Sequence, residues 1–414
     1  MALTKISTDG VKDDAIDASK LPANSVGASE LANNSVDTAA VADDAITQAK
    51  LNFPVANRNL IINGAMQVAQ RGTSSTSTSY QTIDRFALLT MGVDEAPTQA
   101  QVDVSSGTTP YTLGFRKAFK ITNGNQTSTD APDHILIRYK VEAQDIANSG
   151  WNYKSATSYV TLSFWIRSSV AQNFYFNLIA GDGTPQNYAY ETGSLSANTW
   201  TKITKTISGN SNLTFDNNTD TGLQIDWWAF AGTTYTNSNV NLNQWFAYSS
   251  TNRMPNHTST WFTTNDATLE ITGVQLEVGS VATDFEHRSF AQELALCQRY
   301  FCKSYRQGVN PAAASSAADI VSKRNEDYNS GRTDHHINYS YPMPMRATPT
   351  LTFYSYDGTS GKITESNWGF DSASNKNAQG SVKHGRRNIS SIQFGDSLSA
   401  GKFAYFHFTA NAEL

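Results

Sequence analysis

Ten apolar residues stand at an unbroken spacing of five at the start of this chain: Ile6, Val11, Ile16, Leu21, Val26, Leu31, Val36, Val41, Ile46 and Leu51. Five helical steps leave successive members about 140° apart with no shared face, and in a flat strand an odd spacing sends them to alternate sides. Neither one helix nor one strand can bury them. A repeat with a thin apolar stripe becomes stable when copies stack, or when several chains wind together so that their stripes meet on one axis. Residues 1–52 therefore read as the stalk of an elongated homo-oligomer, most simply a trimer. The competing reading is a flexible linker, which the abundance of Ala, Ser, Asp and Asn also suits.

Composition divides the chain at the same place. No Phe, Tyr or Trp precedes Phe53, and the stalk carries eight acidic residues against four lysines, most of the whole-chain net charge of −5. So small a charge gives no general basic surface, which argues against nucleic acid as a partner. The start MALTK has no secretory pattern, and no apolar run approaches bilayer length. Cys297 and Cys302 are the two cysteines; five apart in what reads as a helix, they point in different directions and favour reduced thiols in the cytoplasm where the chain is made.

From residue 59 to about 285 the pattern is β-rich. Alternation is clear at Ile135, Ile137, Tyr139 and Val141, at Val160, Leu162, Phe164 and Ile166, at Phe174, Phe176 and Leu178, and at Leu223, Ile225 and Trp227. Turn-forming clusters separate these runs, the signature of an antiparallel sandwich or jelly roll. In Thr268–Val278 the apolar phase slips at Gly273, which predicts a β-bulge. Ser289 and Gln292 form a capping-box pattern, and Phe290, Leu294, Cys297 and Phe301 return on one face, predicting a helix over 290–303. Alternation resumes near His336 and includes Leu351 and Phe353, then Ala404, Phe406 and Phe408. The expected architecture is mainly β: a pentad-repeat stalk (1–52), a jelly-roll-like β-sandwich (53–288), a connecting α-helix and linker (289–333), and a small C-terminal β-sandwich (334–414), assembled as a homotrimeric fibre.

Several segments resemble bacteriophage tail fibre proteins. They are Asn59-Leu60-Ile61-Ile62-Asn63-Gly64, Gln70-Arg71-Gly72, Asp84-Arg85, Ser163-Phe164-Trp165-Ile166-Arg167, Gly273-Val274-Gln275-Leu276-Glu277-Val278-Gly279, Phe285-Glu286-His287-Arg288-Ser289, Glu293-Leu294-Ala295-Leu296-Cys297-Gln298-Arg299-Tyr300-Phe301, Pro344-Met345-Arg346-Ala347 and Pro349-Thr350. The pentad stalk is similar to those in fibres of phages that infect marine bacteria or cyanobacteria. The resemblance implies a trimeric virion appendage held to the tail or an adaptor protein through residues 1–52. Its β domains would recognise a host surface glycan or another outer-membrane component without inserting into the membrane. It implies no catalytic residues and no cofactor, and the quoted residues read as packing and corner positions.

Binding residues must be argued from chemistry. Sugars present apolar C–H faces and rings of hydroxyls, so their sites pair aromatic platforms with polar partners. Trp165 and Arg167, Tyr175 and Asn177, and Gln224, Asp226 and Trp228 occupy the parity opposite the apolar residues of their strands. If those faces coincide they form such a platform; if a loop or neighbouring chain covers them, the tryptophans are second-layer core. Tyr188 and Tyr190 flank the loop Gly181–Gln186, a second candidate rim. Lys383, Arg386 and Arg387 form a basic run suited to an anionic receptor group, or simply a solvated loop. Asp334-His335-His336 invites a metal reading, but adjacent histidines in a strand point to opposite sides, and no metal site is assigned.

Two other functions compete with adhesion. A glycan depolymerase needs two carboxylates about 5–10 Å apart; Asp226 with Glu191, or Glu270 with Glu277, can be nominated, but nothing in the sequence brings either pair together, and no Gly-x-Ser-x-Gly elbow exists. A purely structural or adaptor fibre would contact only other virion proteins. The favoured expectation is a non-catalytic adhesin. Full-length protein at micromolar concentration is expected to sediment as a trimer and to lose that state when residues 1–52 are removed; a full-length monomer would contradict the stalk reading.

Overall fold

The computed structural model describes residues 57–314, 320–324, 334–367, 373–378 and 382–414. The pentad positions Ile6 to Leu51 lie outside the described residues. Among those described, strand alternation resolves into two antiparallel six-stranded sheets facing one another. The strands are β1 (Ser74–Ser75), β2 (Phe86–Met91), β3 (Thr98–Asp103), β4 (Lys117–Thr122), β5 (His134–Glu142), β6 (Tyr159–Ser168), β7 (Asn173–Ala180), β8 (Gln186–Ser194), β9 (Thr201–Ser208), β10 (Thr221–Ala231), β11 (Trp245–Ala247) and β12 (Thr268–Val278). Sheet I runs β1-β3-β4-β12-β6-β9, and sheet II runs β11-β8-β7-β10-β5-β2. Short helices α1 (Thr109–Thr112) and α2 (Ala143–Ala147) sit in the connections.

The residues of the apolar parity meet between the sheets. Phe164 of sheet I packs edge-on against Phe176 and Trp227 of sheet II, with ring centroids 5.2 and 5.8 Å apart. Ile135, Ile137, Val160, Leu162, Leu178 and Ile225 close the same core, all fully buried. The expected bulge is present: pairing of β12 with β6 shifts between Thr272 and Gln275, and Gly273 has φ +63°. A side chain there would also strike the Phe115 ring, since a Cβ would lie 2.6 Å from it. Across the bulge runs the segment after Asn59. The Val274 N–H donates to the Gly64 carbonyl at 2.9 Å, and a Cβ on Gly64 would lie 2.1 Å from the Val274 oxygen, so only glycine fits this crossing.

The helix α3 (Phe290–Gln298) begins with the expected reciprocal box, Ser289 Oγ accepting from the Gln292 N–H and Gln292 Oε1 from the Ser289 N–H. It ends five residues before the predicted Lys303. Phe301–Lys303 is instead a strand, β13, paired with the end of the chain, so Cys302 is a strand residue and not a helical one. The apolar spacing through Phe301 mimicked another helical turn, but the free strand edge outcompeted it. The remaining strands are β14 (Val321–Arg324), β15 (Asp334–Ser340), β16 (Thr350–Tyr354), β17 (Lys362–Ser366), β18 (Ser374–Asn377), β19 (Val382–His384), β20 (Asn388–Gln393) and β21 (Phe403–Asn411). β21 is the hub, paired with β13, β14, β16 and β17, while β15, β20 and β19 form a separate three-stranded sheet. Phe406, Phe408, Ile363, Ile389 and Ile392 share one core between the two layers. β13 and β14 thus fall within 289–333, the stretch the sequence reads as helix and linker, and both join the C-terminal sheet.

The junction between the sandwiches is polar and buried. Arg85, fully buried, donates to the Glu413 carboxylate and, at 2.6 Å, to the Lys140 carbonyl, and its guanidinium lies 3.4 Å from the Tyr300 ring centroid. Arg71 pairs with Glu413 at 3.3 Å and stacks 3.7 Å over Phe301. Glu142 accepts two 2.7 Å bonds from Arg299 and one from the Tyr300 hydroxyl. Lys303 donates to the Gln70 carbonyl at 2.6 Å, and burial lowers its pKa to about 8. Arg346 reaches the carbonyls of Thr219 and Ala412, both at 2.8 Å. Removing one partner from a buried pair costs about 3–5 kcal/mol, so Arg85→Ala is expected to lower unfolding stability by that much in a denaturant titration. Burial alone would raise the Glu142 pKa, but the Arg299 and Tyr300 hydrogen bonds outweigh it and hold the carboxyl below its ordinary value. Its stabilising contribution is therefore present above the ordinary carboxylate range and is lost as pH falls through the depressed value. The stability gap between wild type and Glu142→Gln should narrow with acidification; a gap independent of pH would contradict that role.

Candidate functional site

The outward parity of sheet II carries four of the sequence-nominated residues, Tyr175, Asn177, Asp226 and Trp228. Asn177 stands directly opposite Asp226, and Tyr175 opposite Trp228. Trp165 and Arg167 lie on β6, hence on the outer surface of sheet I. The envisaged single platform is therefore split across opposite sides of the sandwich, because strand parity says which face a residue takes but not which sheet it joins. Trp165 is half-buried beside Phe115 and Ala118, and Arg167 lies 3.9 Å from Glu270.

On sheet II a long excursion between β10 and β12 folds back over the outer face. Met254 is fully buried against Leu136, Trp228 and Ala231. The Arg253 guanidinium sits 5.2–5.6 Å from the rings of Trp228, Tyr235 and Tyr248 and donates to the Tyr248 hydroxyl at 2.9 Å. Beneath this cover Trp228 Nε1 donates to Asn177 Oδ1 at 2.6 Å, Asn177 Nδ2 to Asn187 Oδ1 at 2.7 Å, and Asn187 Nδ2 to the Arg253 carbonyl at 2.9 Å. Asp226 is clamped by two 2.8 Å bonds from Arg138 and one from Gln224. Trp228, Asn177 and Asp226 are thus second-layer core, correcting their nomination as ligand contacts. Tyr188 is corrected likewise: it points into the core, 5.2 Å from the Trp245 ring, and burial raises its phenol pKa to about 12.

The nominated carboxylates are engaged elsewhere. Glu191 accepts from Asn173 at 2.5 Å; Glu277 accepts from Gln275 and Thr283. Glu270 and Glu277 stand on one strand, about 20 Å apart along it, beyond the reach of a hydrolytic pair. Arg386 and Arg387 are exposed in the turn joining β19 to β20, with Arg386 Nε donating to the Met345 carbonyl at 3.0 Å. The side chains of Lys383, His335 and His336 lie outside the described residues. Among the described residues, no three His, Cys, Asp or Glu side chains converge, and no helix is long and apolar enough to cross a membrane.

Two open grooves border the excursion. One, about 270 Å³, is lined by Asn237, Asn239, Asn241, Gln244, Phe246 and Asn252. Trp245 turns inward and donates to the Ser208 carbonyl at 2.8 Å, so Phe246, its neighbour on β11, takes the outer face opposite Asn187. Asn237 is locked, donating to Asn252 Oδ1 at 3.1 Å and accepting the Asn239 N–H at 2.8 Å. Asn239, Asn241 and Gln244 are exposed. The second groove, about 560 Å³, is lined by Gln172, Asn173, Tyr175, Asn256, His257 and Thr258. Of the sequence nominees, Tyr175 lines the second of these two grooves. The Asn-rich stretch 237–252 carries no strand alternation, and its one signal in the sequence is the density of amides beside Phe246.

No protein-family model matches the chain, and no curated protein matches it in sequence. Among solved structures, the enzymatically active domain of tailspike protein 4 from bacteriophage CBA120 aligns over 53% of this chain and 21% of its own, at 9% identity and a TM-score of 0.28. The N-terminal cellulose-binding domain of Cellulomonas fimi β-1,4-glucanase C aligns over 52% of this chain and 99% of its own, at 10% identity and a TM-score of 0.25. The baseplate tripod of bacteriophage Tuc2009 aligns over 57% and 60%, at 14% identity and a TM-score of 0.24. The fold class rests on the strand pairing itself and not on these likenesses. Because Trp228 is packed core, Trp228→Ala is expected to cost about 3–5 kcal/mol of stability in a denaturant titration; unchanged stability would mean that the cover is not packed as described.

Proposed function

We propose that this protein is a non-catalytic phage tail fibre that docks to the tail through residues 1–52 and binds an uncharged host surface glycan with its larger β-sandwich. The resemblance of its segments to tail fibre proteins and the pentad stalk support the fibre role. The observation that carries glycan binding is the smaller groove, where the exposed amides Asn239, Asn241 and Gln244 converge beside Phe246 with no ionisable side chain among them. A carboxamide both donates and accepts, which matches the dual character of a sugar hydroxyl, and an aromatic wall offers a surface for the ring's C–H face. An anionic ligand would find no cation in this groove, and hydrolysis would find no acid or base.

Avidity is part of the reading, since three linked weak sites gain about 10²–10⁴ over one. The test is saturation binding of labelled full-length protein to candidate host cells, with released sugar assayed in the same samples. Phe246→Ala and Asn241→Ala should reduce binding at least tenfold without lowering the melting temperature, and no sugar should be released. Normal binding by both variants would exclude this groove, binding to no host would favour a purely structural fibre, and released oligosaccharide would establish a depolymerase.

A further inference from the structure

The larger groove has chemistry of its own. The rings of Tyr175 and His257 lie 4.9 Å apart at 33°, forming a continuous two-ring surface. His257 Nδ1 lies 3.2 Å from the Pro255 carbonyl, which can only accept, so Nδ1 carries the proton. Burial lowers the His257 pKa, favouring the neutral ring and leaving Nε2 as a hydrogen-bond acceptor. The wall is fixed in advance. Gln172 Oε1 accepts the N–H groups of Thr260 and Trp261 at 3.0 and 2.9 Å, and Asn173 is tied to Glu191 and Thr192. Exposed Asn256 and Thr258 complete a lining without Lys, Arg, Asp or Glu, and the Glu191 carboxylate that borders it is engaged by Asn173 and Tyr175.

The position of this groove relative to the first follows from strand register. On β8, Glu191 faces Tyr175 of β7 on one side, while Asn187 faces Phe246 of β11 on the other. Asn187 and Glu191 share the outward parity, so Phe246 and Tyr175 rise from the same face of sheet II, about 16 Å apart between Cα atoms at ordinary strand spacings. The excursion also links the grooves directly. Asn252 lines one and Asn256 the other, and four residues of chain span at most about 14 Å. A single sugar ring is too small to touch both aromatic walls, whereas a linear chain of several rings reaches from one to the other.

We propose that the Tyr175–His257 groove is a second carbohydrate subsite, and that the two grooves together bind a linear, uncharged oligosaccharide spanning both. This rests on the glycan-binding reading above and adds to it the length of the ligand and the residues at its far end. Affinity should then rise with chain length until both grooves are filled and change little beyond.

The test uses full-length protein on an array of uncharged linear glycans, each printed from single ring to hexamer, with wild type, Phe246→Ala, Tyr175→Ala, His257→Ala and Asn256→Ala compared. Tyr175 touches the buried Trp228 cluster, so the exposed Asn256 and the rim residue His257 provide variants less exposed to a folding defect. The expected result is length-dependent binding by wild type. Tyr175→Ala, His257→Ala or Asn256→Ala should weaken binding of the longest chains at least tenfold and leave the shortest bound chains unchanged, while Phe246→Ala weakens all lengths. Wild-type affinity independent of length, or second-groove variants equal to wild type at every length while Phe246→Ala fails, would overturn the second subsite and leave the first reading standing. No binding to any array member by folded wild type that still adsorbs to cells would overturn both.

Discussion

The contact on which the larger structure depends is the buried ion pair between Arg85, in the turn just before β2, and Glu413, just after β21. A guanidinium with no water around it must satisfy its charge inside the protein, and here the carboxylate, the Lys140 carbonyl and the Tyr300 ring do so together. Each comes from a different part of the chain, so the pair forms only when the first sandwich, the strand after α3 and the C-terminal strand are all in place. Arg71, Glu142, Arg299, Lys303 and Arg346 extend the same network. Arg71, Arg85, Arg299, Tyr300 and Arg346 come from the short motifs quoted from the sequence, whereas Lys140, Glu142, Lys303 and Glu413 lie outside them, so those motifs supply the junction's arginines and not its acids.

The first domain keeps its apolar mass between two sheets and then covers part of sheet II a second time. Met254 and Arg253 hold the excursion down, Trp228 and Asn177 are sealed beneath it, and only the far sides of the excursion remain open. The exposed polar surface over this part of sheet II is thereby carried by loop-borne walls on a fixed core, an arrangement that allows side chains such as Asn239, Asn241 and Gln244 to change without disturbing the strands.

Much of the fold was legible in the residues because each strand has one dry face. Alternation located β5, β6, β7, β10 and β12, the phase slip located the bulge at Gly273, and the Ser289–Gln292 box located the start of α3. What could not be read was which strands share a sheet. That separated Trp165 from Trp228, although both have the right parity. Nor does a local pattern reveal that a loop returns to bury a face, which removed Trp228, Asn177 and Asp226 from the surface. Phe301 continued the helical spacing, yet β13 forms there because β21, a hundred residues later, offers an edge. The grooves were the least legible feature, since an Asn-rich loop looks the same in sequence whether it binds a ligand or only water.

The central claim is that an uncharged surface glycan is bound and left intact. The most direct measurement is competition: purified surface polysaccharide from a host that the full-length protein adsorbs to is added in excess, and both residual adsorption and polysaccharide chain length are followed. The account predicts that adsorption is abolished while chain length stays constant. Adsorption that persists in saturating polysaccharide, or polysaccharide that shortens with time, would contradict it.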